Sequence, residues 1–504
     1  PWVESRFLEI ALKHYLGLNF ETLSGQYDIF NGFIEIGRSV LSERGFFGMI
    51  VPNRFCANPD YQTLREYILK NYGYLSVRDY GDGVFLQVNM PSCVLIGEPS
   101  DSRNIVHVVN LAGLSFDLDK IDIIKQPKAI IRIDTTPSLE ILIKKCQNQS
   151  LLLKAFYSNA RGVEIGKDSH LISDFSVPDS VRFGVGKNLS RYSFEPHFYL
   201  KLGDSTTDYK DLSLYEGSKI LVRKTGHGIN SSLDLSGVFV IQVIYIFKQK
   251  RRIMSDFYTL SLLNSKLLYH IYYALFGERK KKTFPHIRQE QFLQLPIRRI
   301  YFTTPKEEQE KLAEEGKEFY GKYFKDGNCD SLLSFVGQRL EKQYIPDPEL
   351  VKKHNADPLN KDFQIREGEL IEQSDVVHDF LAFLAEKMIE YNKEKNEETK
   401  SFLGWLEREV GTKVEDLTGK TTIKKYHETT GGNLISILKK NKKKLQIDPS
   451  RRDLQDKLSA EFDKSLQKLI PLKRKIEITD HLIDQIVYKL YGLTEEERRT
   501  VERS

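Results

Sequence analysis

No stretch of the sequence could cross a membrane as a helix. The longest apolar runs, such as Val238 to Phe247, fall far short of the roughly 20 residues needed. No secretory signal pattern opens the chain. Cysteine is scarce: Cys56, Cys93, Cys146 and Cys329 are widely scattered, and no pair has zinc-site spacing. An even count alone does not imply disulfides, and a reducing cytoplasm is the simplest setting. His14, His227 and His286 stand apart and form neither a triad nor a metal cluster, so no metal is expected. The dipeptide Pro-Cys is absent, which removes the usual context for a cysteine that attacks cytosine C5. Cys93 follows Ser on an expected strand and reads as core. No Pro-Asp…Glu-x-Lys cluster marks a nuclease.

The residues present suit a multidomain globular protein. A chain of 504 residues exceeds one hydrophobic core, and 40% hydrophobic with 11% aromatic content excludes wholesale disorder. The net charge of +5 is small, but its distribution is uneven. Lys219 to Arg299 holds fifteen Lys/Arg against four acids, a surplus of eleven, so the remainder is net negative. Such a local surplus is what a polyanion-binding face requires, although a solvated basic surface would look the same.

Along residues 1–104, helix and strand alternate. Asp28 is expected to cap a helix with an apolar face of Ile29, Phe33, Ile36, Val40 and Leu41, ended by Gly45. Phe46 to Val51 reads as a buried strand stopped by Pro52. Tyr61 to Leu69 reads as a short helix and Leu75 to Tyr80 as a strand. Val84–Val88 and Ser92–Gly97 read as a hairpin around Met90-Pro91. This order fits the second half of a doubly wound α/β sheet. Residues 105–150 read as a connector with one helix, Ser138 to Gln147. Residues 151–304 read as a mixed α/β module that leads into an apolar helix, Phe257 to Phe276. Residues 305–504 read as helical. Val377, Phe380, Leu381, Leu384 and Met388 form one stripe, Thr479 is expected to cap a helix stopped by Gly492, and Thr494-Glu-Glu-Glu497 has capping-box spacing.

The opening Pro1-Trp2 gains meaning from the segments downstream of it. Tyr27-Asp28-Ile29-Phe30, then Gly48-Met-Ile-Val-Pro-Asn53, Leu64-Arg65, Gly83-Val-Phe85 and Pro91-Ser-Cys-Val-Leu-Ile96 come in order. This succession resembles the DNA adenine-N6 methyltransferases whose recognition domain follows the catalytic one. The resemblance implies a Rossmann-like fold, S-adenosylmethionine as cofactor, and direct transfer of methyl to a flipped adenine. It makes Pro1 and Trp2 the last two positions of an Asn/Asp-Pro-Pro-aromatic loop, with Trp2 stacking on the base and Phe85 packing on its other face. The donor-binding residues and the first half of the loop are expected upstream of Pro1, since the chain opens without Met, and this chain alone is expected to be inactive.

Gly217-Ser-Lys-Ile-Leu-Val-Arg-Lys-Thr-Gly226, Leu262-Leu-Asn-Ser265, Phe284-Pro285 and Leu293-Gln-Leu-Pro-Ile297 resemble the target-recognition domain of Type IIG restriction–modification enzymes. The tail, with Phe402-Leu-Gly-Trp-Leu406, resembles theirs as well. The partner so implied is double-stranded DNA. Lys219, Arg223, Lys224, Lys250, Arg251, Arg252, Lys280, Lys281 and Lys282 are the expected contacts. The alternative is a DNA specificity module without catalysis of its own.

Overall fold

The structure is a computed structural model, described for residues 3–85, 90–100, 103–226, 228–276 and 286–502. Pro1, Trp2, the second half of the expected 84–88 strand, His227 and the run Lys280–Lys282 lie outside these residues. The chain divides into two compact units, residues 1–144 with 274–276, and the remainder.

The first unit carries α1 (Ile10–Asn19), α2 (Phe30–Val40), β1 (Phe47–Pro52), α3 (Gln62–Asn71), β2 (Tyr74–Gly81), β3 (Ser92–Glu98), β4 (Ile105–Val109) and β5 (Ser115–Asp119). One sheet runs β1-β3-β2-β4-β5. β3 is antiparallel to both β1 and β2, so β1 and β2 point the same way. The alternation in β2 buries Leu75 and Val77 against Leu64, Ile68 and Leu95. Arg65 is a keystone beneath it. Its fully buried guanidinium donates to the carbonyls of Phe55 (2.6 Å), Asn58 (2.8 Å) and Lys128 (2.8 Å), and burial lowers its pKa to about 10.

Several expectations change here. Asp28 is not the helix cap; α2 begins at Phe30, with Ile29 before it. Phe30 and Ile34 face the core, whereas Phe33, Ile36 and Val40 are exposed. The six residues of β1 are buried only at Val51 and Pro52, and Ile50 is exposed. β3 has β1 and β2 on its two flanks, so it has no edge left to pair with residues 84–88. Residues 105–119, read as connector, supply β4 and β5 to this sheet. The helix after them, Pro137–Asn148, is as expected.

The second unit begins with β6 (Ser150–Leu152), β7 (Tyr157–Arg161), β8 (Ile172–Ser173), β9 (Ser180–Gly184), β10 (Leu189–Ser190), β11 (Ser193–Phe194) and β12 (Phe198–Lys201). It continues with β13 (Lys219–Arg223), β14 (Ser231–Asp234), β15 (Phe239–Val240), β16 (Ile244–Gln249) and β17 (Pro296–Arg298). Two four-stranded sheets, β15-β9-β12-β8 and β14-β13-β16-β7, share a core of Phe183, Leu200, Leu221, Ile244 and Ile246. The apolar run 238–247 is thus divided between two strands. The apolar helix breaks at Asn264-Ser265 into Asp256–Leu263 and Lys266–Phe276. Asn264 is the C-cap of the first piece, and its side chain exchanges hydrogen bonds with Ser231.

The tail is helical, as expected. Its stripe from Val377 to Met388 is buried in the 37-residue helix Ser374–Val410. The Thr494 capping box forms with both reciprocal bonds to Glu497. Thr479 is not a cap. It lies inside the 39-residue helix Arg452–Leu490, bonded to the Lys475 carbonyl and to Tyr320. Among the described residues no helix is long and apolar enough to cross a membrane, and no cluster of His, Cys, Asp or Glu could hold a metal ion.

Candidate functional sites

In an open α/β sheet, ligands meet the protein beyond the carboxyl ends of the strands. In the first unit the ends of β1 and β2 open on one edge. Asn53, just after β1, donates through Nδ2 to Asp79 Oδ1 at 3.0 Å and through its backbone N–H to the Pro91 carbonyl at 2.9 Å. Asp79 also accepts from the Gly81 N–H, holding the turn after β2, where Gly81 and Gly83 both take positive φ. Phe85 comes just after that turn and is 48% exposed, so it is not core.

Arg54, next to Asn53, ties this edge to the chain's opening segment. Asp28 is fully buried and accepts from Arg54 Nη2 and from the Tyr61 hydroxyl, each at 2.5 Å. Burial, reinforced by Asp28, pushes the Tyr61 hydroxyl well above its ordinary pKa. Arg54 also reaches Glu4 at 3.4 Å. The Ser5 N–H donates to the Tyr27 carbonyl, and the Ile29 N–H donates to the Val3 carbonyl. Residues 3–5, directly after Pro1-Trp2 in sequence, are therefore braced against residues 27–29. Sequence reading caught Asp28 only as a cap and missed Glu4, Arg54 and Tyr61, which no local motif connects.

In the second unit the basic stretch does not form one face. Lys219 is excluded as a DNA contact. Its side chain is fully buried, with Nζ donating to Asp234 Oδ2 at 2.5 Å and to the Tyr215 carbonyl at 2.6 Å. Burial lowers its pKa against the pull of Asp234. Arg298 and Arg299, counted in the surplus, are also internal. Arg298 pairs with Glu372 at 2.8 Å, and Arg299 bonds to Asn360.

Among the described residues, Lys266 pairs with Asp484 at 3.8 Å, and the other cations of the stretch divide between the two ends of β16. At its carboxyl end, Lys248 donates to the Ser213 and Glu216 carbonyls, Lys250 donates to the Lys154 carbonyl at 2.7 Å, and Arg251 pairs with Asp357 at 3.0 Å. Arg252 is exposed there. At the amino end of β16, about 17 Å away along the strand, lie Arg223 and Lys224. The strand register brings Arg161 there too, opposite Tyr245. Arg288 joins them, because the Ile287 N–H bonds to the Lys224 carbonyl and Thr225 bridges to His286. Arg161 comes from β7, far outside the basic stretch, and only the pairing of β7 with β16 reveals it.

The comparisons with known proteins fall on these same segments. Residues 1–85 match the family described as Eco57I restriction-modification methylase. Residues 182–297 match the TaqI-like C-terminal specificity domain, and residues 374–487 match a domain of unknown function, DUF8810. Over 301 residues the chain is 23% identical to RM.MjaORFECS2P of Methanocaldococcus jannaschii, a protein named for a type II restriction enzyme and methyltransferase. That match takes in 54% of this chain and only 25% of the relative. Among solved structures, the Type IIL restriction-modification enzyme MmeI in complex with DNA is 13% identical with a TM-score of 0.36, covering 77% of this chain and 56% of that one. The type IIG restriction endonuclease BpuSI is 13% identical with a TM-score of 0.30, covering 59% and 46%. Both structural likenesses are loose. The succession of a methylase segment and a specificity domain in one chain bears out the resemblance to methyltransferases of Type IIG restriction–modification systems.

Proposed function

We propose that this chain is the base-holding and DNA-recognising part of an S-adenosylmethionine-dependent adenine-N6 DNA methyltransferase. Its first unit is the second half of a Rossmann-like sheet, in which an antiparallel β3 between the parallel β1 and β2 closes one side. The observation that carries the reading is the shared edge. The methylase match spans Pro1-Trp2 and Phe85. The residues after Trp2 are braced by Glu4, Asp28 and Arg54 beside the end of β1, while Phe85 emerges exposed beyond the end of β2.

S-adenosylmethionine supplies the methyl group. The described residues do not fit it: β1 runs into Asn53–Cys56 without a glycine, and Gly81 and Gly83 lead from β2 into a bend rather than a helix. These residues instead hold the base. An exposed aromatic at this edge offers a stacking surface to a purine taken out of the duplex. Trp2 is the platform and Phe85 the opposing ring. Recognition of the duplex falls to residues 182–297 and their basic rim.

The test uses the full-length protein. Trp2→Ala should remove a stack worth about 1–3 kcal/mol and slow methylation accordingly, while duplex affinity largely persists. Phe85→Ala should act in the same direction, more weakly. Loss of binding with unchanged turnover per bound complex would refute the assignment. Absence of any transfer by the intact wild-type protein would favour the non-catalytic specificity module.

A further inference from the structure

The four cations at the amino end of β16 are not equivalent. Among the described residues none of Arg161, Arg223, Lys224 and Arg288 has an acidic partner. Arg161 and Arg288 are exposed, and Arg161 bonds weakly to Gln289 at 3.3 Å. They stand at the surface with exposed heads. Arg223 differs. It lies on the face of β13 shared with Leu221, opposite Ile244, so its stem continues the hydrophobic core. Gly186 lies against it. A Cβ at that position would sit 3.2 Å from Val243 and 3.9 Å from Arg223 Nε. The side chain is half-buried, and its Nε is buried without a hydrogen-bond partner.

A half-buried guanidinium with a fixed stem and no internal acceptor is an unusual arrangement, because buried donors are ordinarily satisfied. Burial closes Nε itself to a ligand, but the outer Nη groups, which no described residue satisfies, remain for a ligand to meet. A planar fork held in one orientation suits two acceptors side by side, which a guanine edge presents as O6 and N7 in the major groove. A phosphate also offers two oxygens to such a fork, but the exposed Arg161 and Arg288 already stand where the backbone would pass, which leaves the half-buried Arg223 to the base edges. We infer that Arg223 reads a guanine edge in the target duplex, while Arg161, Lys224 and Arg288 hold the flanking phosphates. This inference rests on the reading of residues 182–297 as the DNA-recognition domain.

The test is selection from a pool of randomised duplexes by the full-length protein. Sequencing of the bound fraction is followed by anisotropy on the selected duplex and a scrambled one. Wild type should enrich a defined motif containing at least one G·C pair. Arg223→Gln should erase the preference at one G·C position, lowering discrimination there roughly 5- to 150-fold. Arg223→Lys, which keeps the charge and most of the stem, should erase the same position while its melting temperature and its affinity for the scrambled duplex stay near wild type. Arg161→Gln/Arg288→Gln should keep the whole motif and flatten the slope of log K against log salt by about 0.9 per lost contact. The inference is overturned if Arg223→Lys selects the unchanged motif, or if both Arg223 variants weaken selected and scrambled duplexes equally. A wild-type protein that binds duplex but enriches no motif would overturn the recognition reading, and the inference with it.

Discussion

Lys219→Met separates two accounts of the basic stretch. Lys219 sits on β13 opposite Asp234 of β14, and its ammonium is sealed between that carboxylate and the Tyr215 carbonyl. Removing one partner of a buried ion pair generally costs about 3–5 kcal/mol, because the other charge is left behind. Asp234 would keep three donors, the Ser236 N–H (3.0 Å), the Ser236 hydroxyl (2.8 Å) and the Val238 N–H (2.9 Å). These place the expected loss at the lower end, about 3 kcal/mol. At 1.4 kcal/mol per tenfold, that is on the order of 100-fold faster opening of the β13–β14 pair. Hydrogen exchange at the Ile220 to Val222 amides reads this directly, without assuming that so large a chain unfolds in one step. Duplex binding measured over a range of salt should keep the wild-type slope. A phosphate contact would instead lower the slope by about 0.9 and leave exchange alone. That outcome would refute the burial argument.

Two further outcomes are expected in the same unit. Asp484 accepts from the Lys266 N–H at 2.8 Å, and its pKa is raised to about 6 by burial and by Asp480 beside it. A raised carboxyl favours the folded state in its protonated form, so its contribution is complete near pH 4 and is lost as pH rises through 6. Asp484→Asn should therefore stabilise by up to about 3 kcal/mol at pH 8 and little at pH 4.5; an equal gain at both, measured by urea unfolding, would contradict the assignment. Gly162 lies so close to β15 that a Cβ would sit 2.0 Å from the Val240 carbonyl oxygen. Gly162→Ala should therefore destabilise by roughly 1–3 kcal/mol or more and disturb Arg161 beside it, lowering duplex affinity; wild-type unfolding and binding curves would contradict the close approach.

How much of the fold and site was legible depended on whether the signal was local. The strand from Leu75 to Tyr80, the stripe from Val377 to Met388 and the Thr494 capping box lie within single elements, and each forms as read. Periodicity did not tell which side of α2 would pack. Phe33, Ile36 and Val40 make a good apolar stripe, yet the core takes Phe30 and Ile34. Thr479 looked like a helix start, but a threonine can also bond back to the carbonyl four residues earlier, as it does here. The functional residues were hidden for a related reason. Lys219 and Asp234 meet across a strand pair, Arg161 reaches Arg223 only through the register of β7, β16 and β13, and Arg54 reaches Asp28 across 26 residues. Composition found a basic region, and pairing decided which cations face outward.

The central claim is adenine-N6 methylation of DNA, and product analysis tests it most directly. The full-length protein would be incubated with duplex DNA and methyl-labelled S-adenosylmethionine, and the DNA digested to nucleosides and separated by mass. The account predicts label in N6-methyldeoxyadenosine, at one recurring sequence context. Label on cytosine, or no transfer by protein that binds duplex normally, would contradict it.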